Sequence, residues 1–227
     1  MSDPVADAAE WAEYERLRAI DAVVARGVRL ELHPFGEGVS DSIRRTGDFY
    51  EAEILDYLRA AHPRHRTIVD AGAMIGNHSC YFAAFLAHDA IAAFEPVPDN
   101  FALLVRNTRP FPTVERFPLA LTDGSRRLVR MCVDRANMGA CRVEDDGELP
   151  VPAMTLDSFD LGPVTLLKVD VEDHERELLD GARRTIARWR PLVLIEDWSH
   201  GGIAELLRGY VLEREWAFTY LYRWPGP

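Results

Sequence analysis

The stretch that most constrains this chain runs from residue 67 to residue 88. A short apolar run, TIVDAG, ends in Asp70 and Gly72 and gives way after AMIG to NHSCYFAAFLAH, a run of helical length. Strand, glycine turn and helix in immediate succession open an α/β sheet. The alternation then continues. AIAAFEP reads as a second strand, DNFALLVRNT as a second helix and TVERFPLAL as a third strand. VTLLKVDV and PLVLIED are further apolar strands, separated by one helix, ERELLDGARRTIARW. Runs rich in Val, Ile and Leu between helices predict a mainly parallel sheet with helices on both faces.

The flanks read differently. Residues 7–27, with Trp11, Tyr14 and Leu17 at helical spacing, predict an amphipathic N-terminal helix that packs on the domain or on a second subunit. Residues 28–32 alternate as a short strand, and the stretch HPFGEGVSDSIRRTG is polar. Asp48 and Glu51 have capping-box spacing and predict the start of a helix that ends at His62-Pro63. Residues 123–153 hold Gly, Asp and Pro between short alternating runs, which predicts an inserted hairpin or lid. AELLRGYVLE predicts a late helix and AFTYLY an edge strand. The expected organisation is one globular unit. N-terminal helices and a cap span 1–66, and the core spans 67–227 with its lid at 123–153.

Composition narrows the function. The chain has 227 residues and 48% hydrophobic content, which suits one domain. Lys+Arg 26 against Asp+Glu 37 gives a net charge of −11. That balance argues against nucleic-acid partners and against docking on anionic membranes. No apolar run reaches the ~18 residues of a membrane-spanning helix. The opening MSDPVADAAEWAEYE lacks the basic start and apolar stretch of a secretory signal. Three cysteines without a CxxC suggest a reducing compartment, so a cytoplasmic protein is expected.

Two motifs point to a nucleoside ligand. Gly72 lets the chain turn tightly and lets a ligand approach the backbone, while the helix beginning near Asn77 offers free N–H groups. Glu95, at the end of the second strand, is placed to accept both hydroxyls of a ribose. A nicotinamide fingerprint requires G-x-G-x-x-G, but Met74 stands where its second glycine belongs. The spacing suits a nucleoside without pyrophosphate, such as S-adenosylmethionine.

Seven stretches in order carry a family resemblance: VSDSIRRTGDFYEAE, TIVDAGAMIGNHS, AFEPVPDNFALLVRN, PLALTDG, TLDSF, LLKVDVEDHERELLDGA and PLVLIED, across residues 39–197. The chain resembles the FkbM-type family of S-adenosylmethionine-dependent methyltransferases. The resemblance implies a Rossmann-like class I methyltransferase fold with a seven-stranded sheet, and O-methylation of a small natural product or sugar. It assigns cofactor binding to Asp70, Gly72, Ala73, Met74, Gly76 and Asn77. Glu95 would hold the ribose, with Pro96 and Asn100 nearby and Ala120 and Leu121 along the adenine. Tyr50 and Glu51 would close over the methionine end. The family pattern GANIG here carries Met74, and the pattern DVEGxE here carries Asp173.

The acceptor end has two open readings. Asp170 ends one strand, and Glu196 and Asp197 end the next, so all three are expected at the crevice. In one reading His174, or a nearby carboxylate, is the general base, with His200 in the loop WSHGG as a second candidate. An acidic neighbourhood is expected to favour protonated His174. In the other reading Asp170, Glu196 and Asp197 hold Mg²⁺, whose hard oxygen ligands these are. Glu172, Asp173 and Glu175 also read as a solvated helix start. In the lid, Arg135 and Arg142 could meet an anionic group or simply balance EDDGE. Two rivals remain: a noncatalytic nucleoside-binding or assembly protein that kept the fold, and a methyltransferase acting on a peptide. A homodimer is compatible with the amphipathic N-terminus.

Overall fold

The computed structural model describes residues 21–34, 37–134, 137–198 and 202–226. Strands β1 (Ala22–Ala25) and β2 (Val28–Glu31) pair antiparallel across a two-residue turn. Arg26 and Gly27 hold positive φ of 50° and 91°, the backbone of a tight hairpin. This corrects the helix expected over 7–27, whose last turn is strand. The rest of that helix, with Trp11, lies outside the described residues.

The polar stretch after β2 carries a helix. Helix α1 (Gly38–Thr46) starts where the buried Glu37 carboxylate accepts from Val39 N (3.0 Å) and Ser40 N. It stops at Gly47, with φ 67°. Helix α2 (Ala52–Ala61) begins later than the capping-box spacing predicts. Glu51 sits at φ 56° with no side-chain cap, and Asp48 is engaged by Arg26 at 2.8 and 2.7 Å. A long-range ion pair has replaced the local cap.

The alternating core follows. In order come β3 (Thr67–Ala71), α3 (Asn77–Phe85), β4 (Ala90–Phe94), α4 (Pro98–Thr108) and β5 (Val114–Phe117). Pro118, which has no N–H to donate, ends β5. The expected third strand is therefore split, and β6 (Ala120–Leu121) joins a different sheet with β7 (Leu128–Cys132), β8 (Arg142–Val143) and β9 (Leu149–Met154). β7 pairs antiparallel with both β8 and β9, so the insertion expected at 123–153 is a small sheet. Its own core includes Val129, Met131, Met138, Val151 and Ala153.

After β10 (Val164–Val169), the single expected helix is two, α5 (Glu175–Asp180) and α6 (Arg183–Trp189). The break is at Gly181, where a Cβ would lie 1.9 Å from the Thr122 carbonyl oxygen. β11 (Leu192–Glu196) precedes a hairpin of β12 (Val211–Trp216) and β13 (Thr219–Arg223). The helix expected from AELLRGYVLE does not form. Gly209, at φ 87°, packs under Trp224, and Val211 onward pairs with β13.

Seven strands join in the order β12-β13-β11-β10-β3-β4-β5. The sheet is mixed: β11, β10, β3, β4 and β5 run parallel, and β13 and β12 are added antiparallel. β13 is interior, and β12 is the edge. Side chains alternate between two cores, as the two-residue period of a strand requires. Ile68, Ile91, Leu166 and Leu194 face the core shared with α3 and α4. Val69, Ala92, Leu167 and Ile195 face the core shared with α5. Among the described residues no helix is long and apolar enough to cross a membrane.

Candidate active site

The chain leaves β3 outward through β4 and β5, then returns to β10 on the other side of β3. Strand order reverses there, and the carboxyl ends of the two neighbours part into a crevice, the usual ligand position in such sheets. A cavity of about 280 Å³ opens at this place. Of the residues expected to bind cofactor, Tyr50, Glu51, Gly72, Met74, Glu95, Pro96, Asn100, Ala120 and Leu121 line it.

The half nearest β3 is built from backbone. Gly72 N and Ala73 N both donate to the Phe94 carbonyl, at 3.1 and 2.9 Å, so the turn is tied to the end of β4. Gly72 has φ +73°, and a Cβ there would lie 1.7 Å from the Asp170 carbonyl oxygen. Only glycine fits between the two strand ends. Met74 N donates to Glu95 Oε2 and Val97 N to Oε1, each at 2.8 Å. Glu95 is 4% exposed. Burial pushes its carboxyl up to about 7, against the pull of the two N–H bonds. With the Asn100 side chain as a third donor beside the two N–H groups, the carboxylate still keeps acceptor capacity.

Four expected cofactor residues support the cavity from behind. Asp70 is fully buried and accepts from Ser79 Oγ at 2.6 Å. Ala73 is held by its N–H bond to β4. Gly76, at φ +85°, lies against Leu104, where a Cβ would approach Cδ1 to 2.9 Å. Asn77 accepts from Tyr50 N (3.0 Å) and donates to Tyr50 O (3.1 Å), which fixes the Tyr50–Glu51 loop. Asn100, at the cavity wall, donates to the Met138 carbonyl at 3.2 Å and bonds His33 Nε2 through its oxygen at 2.7 Å, pinning the lid.

The half nearest β10 and β11 is built from charge. One carboxylate oxygen each of Asp170, Glu172 and Glu196 lies within 4.8 Å of the others. Asp197 is not in this group, which corrects the expected metal set. Neighbouring strand residues point to opposite faces, and Asp197 Oδ2 instead accepts from Ile203 N at 3.4 Å. Glu172, read from sequence as a solvated helix start, takes its place. Glu172 and Asp173 both have positive φ, 50° and 66°, and Glu172 lines the cavity.

Burial, then repulsion from Asp170 and a hydrogen bond with it, pushes Glu196 up to about 9. Burial, then Asp170, raises Glu172 to about 7. Burial also acts against ionised Asp170, but Lys168 and the Glu196 hydrogen bond outweigh it and hold Asp170 below its ordinary value. The pair therefore keeps its proton on Glu196.

His174 lines the cavity and contacts Thr122 Oγ1 at 3.3 Å. Burial lowers its pKa and outweighs Glu177 and Asp123, so the imidazole is favoured over the imidazolium expected from the acidic neighbourhood. His200 and Arg135 lie outside the described residues. Arg142 pairs with Glu144 at 2.6 Å, the surface reading. Trp198 stacks on Phe218 with ring centroids 3.9 Å apart, lines the cavity and is 51% exposed.

The sequence reading missed Lys168. It is 3% exposed within an apolar strand. A lone lysine in LLKVDV was the available signal, because a fully buried lysine requires partners.

The Methyltransferase FkbM domain model matches residues 70–214. The hexuronic acid methyltransferase AglP of Haloferax volcanii is 27% identical over 136 residues, covering 58% of this chain and 56% of that protein. The crystal structure of methyltransferase FkbM from Methylobacillus flagellatus KT superposes with a TM-score of 0.53 at 19% identity, over 74% of this chain and 46% of that one. The Escherichia coli protein yhhF superposes with a TM-score of 0.51 at 14% identity, over 90% and 96%. This chain spans about half the length of the Haloferax and Methylobacillus proteins.

Proposed function

This chain belongs to the FkbM methyltransferase family, and from that premise we propose that it transfers a methyl group from S-adenosylmethionine to a hydroxyl of a small natural product or sugar. The observation that carries the reading is Glu95. Its buried carboxylate is oriented by the Met74 N–H of the glycine turn and the Val97 N–H after β4, and faces the cavity with acceptor capacity to spare. Such a group is suited to the two hydroxyls of a ribose. Ala120, Leu121, Met131 and Val143 supply an apolar wall for a purine. Tyr50 and Glu51 also line the cavity.

S-adenosylmethionine would supply an electrophilic methyl on a sulfonium sulfur, open to in-line attack by an oxygen lone pair. The chain's own work is then to align the acceptor and take its proton. Asp170, kept ionised by Lys168, is the proposed base, and neutral His174 is a second acceptor of protons at the same wall. Sugars and hydroxylated rings suit the exposed face of Trp198. The name of the Haloferax relative makes an acidic sugar one acceptor to test first. Three free cysteines are consistent with work in the reducing cytoplasm.

A second reading places Mg²⁺ on Asp170, Glu172 and Glu196, whose oxygens are spaced for one ion. Turnover that survives exhaustive chelation removes it. The primary reading is tested by calorimetric titration with S-adenosylhomocysteine. Micromolar binding by the wild type that is lost in Glu95→Ala is the expected result. No binding by folded, ligand-free wild type would move the noncatalytic reading to first place.

A further inference from the structure

We propose that Lys168 is a positioning residue that ties the cofactor turn on β3 to the acceptor acid on β10. The inference rests on the functional reading above for what the two ends do, but its geometry stands alone. Lys168 Nζ donates to the Gly72 carbonyl at 2.7 Å, meets Asp170 Oδ2 at 3.0 Å and meets Asp70 Oδ1 at 3.3 Å. Of these three oxygens Asp70 Oδ1 meets the ammonium by charge alone and accepts no hydrogen bond, and the Ala71 carbonyl lies beyond them at 3.5 Å. The side chain is 4% exposed, and water therefore does not replace any of them.

The three oxygens belong to the two halves of the site. Gly72 packs directly against the Asp170 carbonyl at the end of β10. Asp170 lines the cavity on the other side of the strand gap. Asp70 is pinned from behind by Ser79 Oγ at 2.6 Å. Lys168 itself is absent from the large cavity's lining and touches only its smaller neighbour, beside Glu51, His78 and Glu196. It therefore acts through others. The strands are already in register, with Lys168 opposite Asp70. Strand pairing stops at Ala71 and Val169, one residue short of the Gly72 carbonyl and the Asp170 carboxylate, and one cation holds both.

A buried lysine flanked by two carboxylates also stabilises the fold, since removing one partner leaves uncompensated charge. The test must separate that role from positioning. Lys168→Met leaves two unbalanced carboxylates and is expected to lower the melting temperature sharply. Asp70→Asn/Lys168→Met removes one charge of each sign and is expected to recover most of the loss. In both variants, amide exchange followed by mass spectrometry should quicken at residues 70–77 and 168–175 together. S-adenosylhomocysteine binding should stay weaker by roughly tenfold or more, the scale of one lost charge-assisted hydrogen bond.

Full recovery of affinity and of local protection in the double variant would overturn the proposal and leave a purely stabilising lysine. Faster exchange spread evenly along the chain would do the same. The exchange readout needs no ligand. A wild type that fails to bind S-adenosylhomocysteine would therefore defeat the cofactor reading, while exchange still decides the role of Lys168.

Discussion

The two halves of the crevice are held by opposite means. On the β3 side, backbone groups do the work: Gly72 and Ala73 are bonded to Phe94 O, and Met74 and Val97 are bonded to Glu95. Where β10 and β11 meet β3, four ionisable groups crowd together, with Lys168 between Asp70 and Asp170 and the proton of the Asp170–Glu196 pair on Glu196. Backbone hydrogen bonds are insensitive to pH and intolerant of shape changes. Buried charges tolerate shape changes but respond to every proton. The glycine turn should fail when its geometry is altered and the second half when its charge is altered, with Glu95 giving the first half a pH response of its own.

The sharpest way to break that contrast is Gly72→Ala. Its methyl would overlap the Asp170 carbonyl, and the backbone has φ +73°. A loss of about 4 kcal/mol or outright misfolding is expected, beyond the usual range for one substitution. Denaturant unfolding reads it, and a near-native midpoint would mean that the strand ends can part. Glu95→Gln comes next. It keeps the shape and is expected to reduce S-adenosylhomocysteine affinity by about 1.5–3 kcal/mol, the scale of hydrogen bonds to a charged group.

The pH responses sharpen the comparison. The Glu95 carboxyl, at about 7, loses acceptor capacity when protonated. Calorimetric affinity for S-adenosylhomocysteine should therefore rise with pH through neutrality, and Glu95→Gln should flatten that rise. Stability should move the other way. Glu172 and Glu175 at about 7 and Glu196 at about 9 lie above an unfolded glutamate, near ~4.3. Between those values the native state binds more protons than the unfolded chain, so stability falls as pH rises. The melting temperature of ligand-free protein should decline from pH 6 to pH 9, and Glu196→Gln should remove the upper part of the decline. A melting temperature that climbs over this range would contradict the charge-built half.

The smallest expected effects are gains. Met74 and Asp173 hold φ of 47° and 66°, a region that L side chains adopt at a cost. Asp173→Gly and Met74→Asn should each stabilise by about 0.5–1 kcal/mol, read as a rise in melting temperature. Asp173→Gly should also leave Glu172 in place, because the backbone conformation is already the one glycine prefers.

Much of this was legible in the chain. The alternation of apolar runs and helices from residue 67 predicted the parallel core, and Asp70 through Gly76 with Glu95 marked one half of the cavity. Local signals failed where distant partners intervened. Asp48 was taken by Arg26 and capped nothing, and Gly181 broke a continuous helical pattern because the Thr122 carbonyl needed its space. The late helix was lost because Val211–Trp216 found a strand partner in Thr219–Arg223. At the acceptor end, sequence adjacency suggested Glu196 with Asp197, whereas strand alternation turned Asp197 away and positive φ brought Glu172 in.

What the sequence determined by itself was the set of elements and the glycine turn, because hydrophobic periodicity and backbone freedom are local properties of the chain. Only the tertiary structure decided which charges meet. Lys168, Asp70, Asp170, Glu172 and Glu196 come from three strand ends that lie far apart along the chain. Their ionisation depends on burial and mutual distance, which exist only once those strands are side by side.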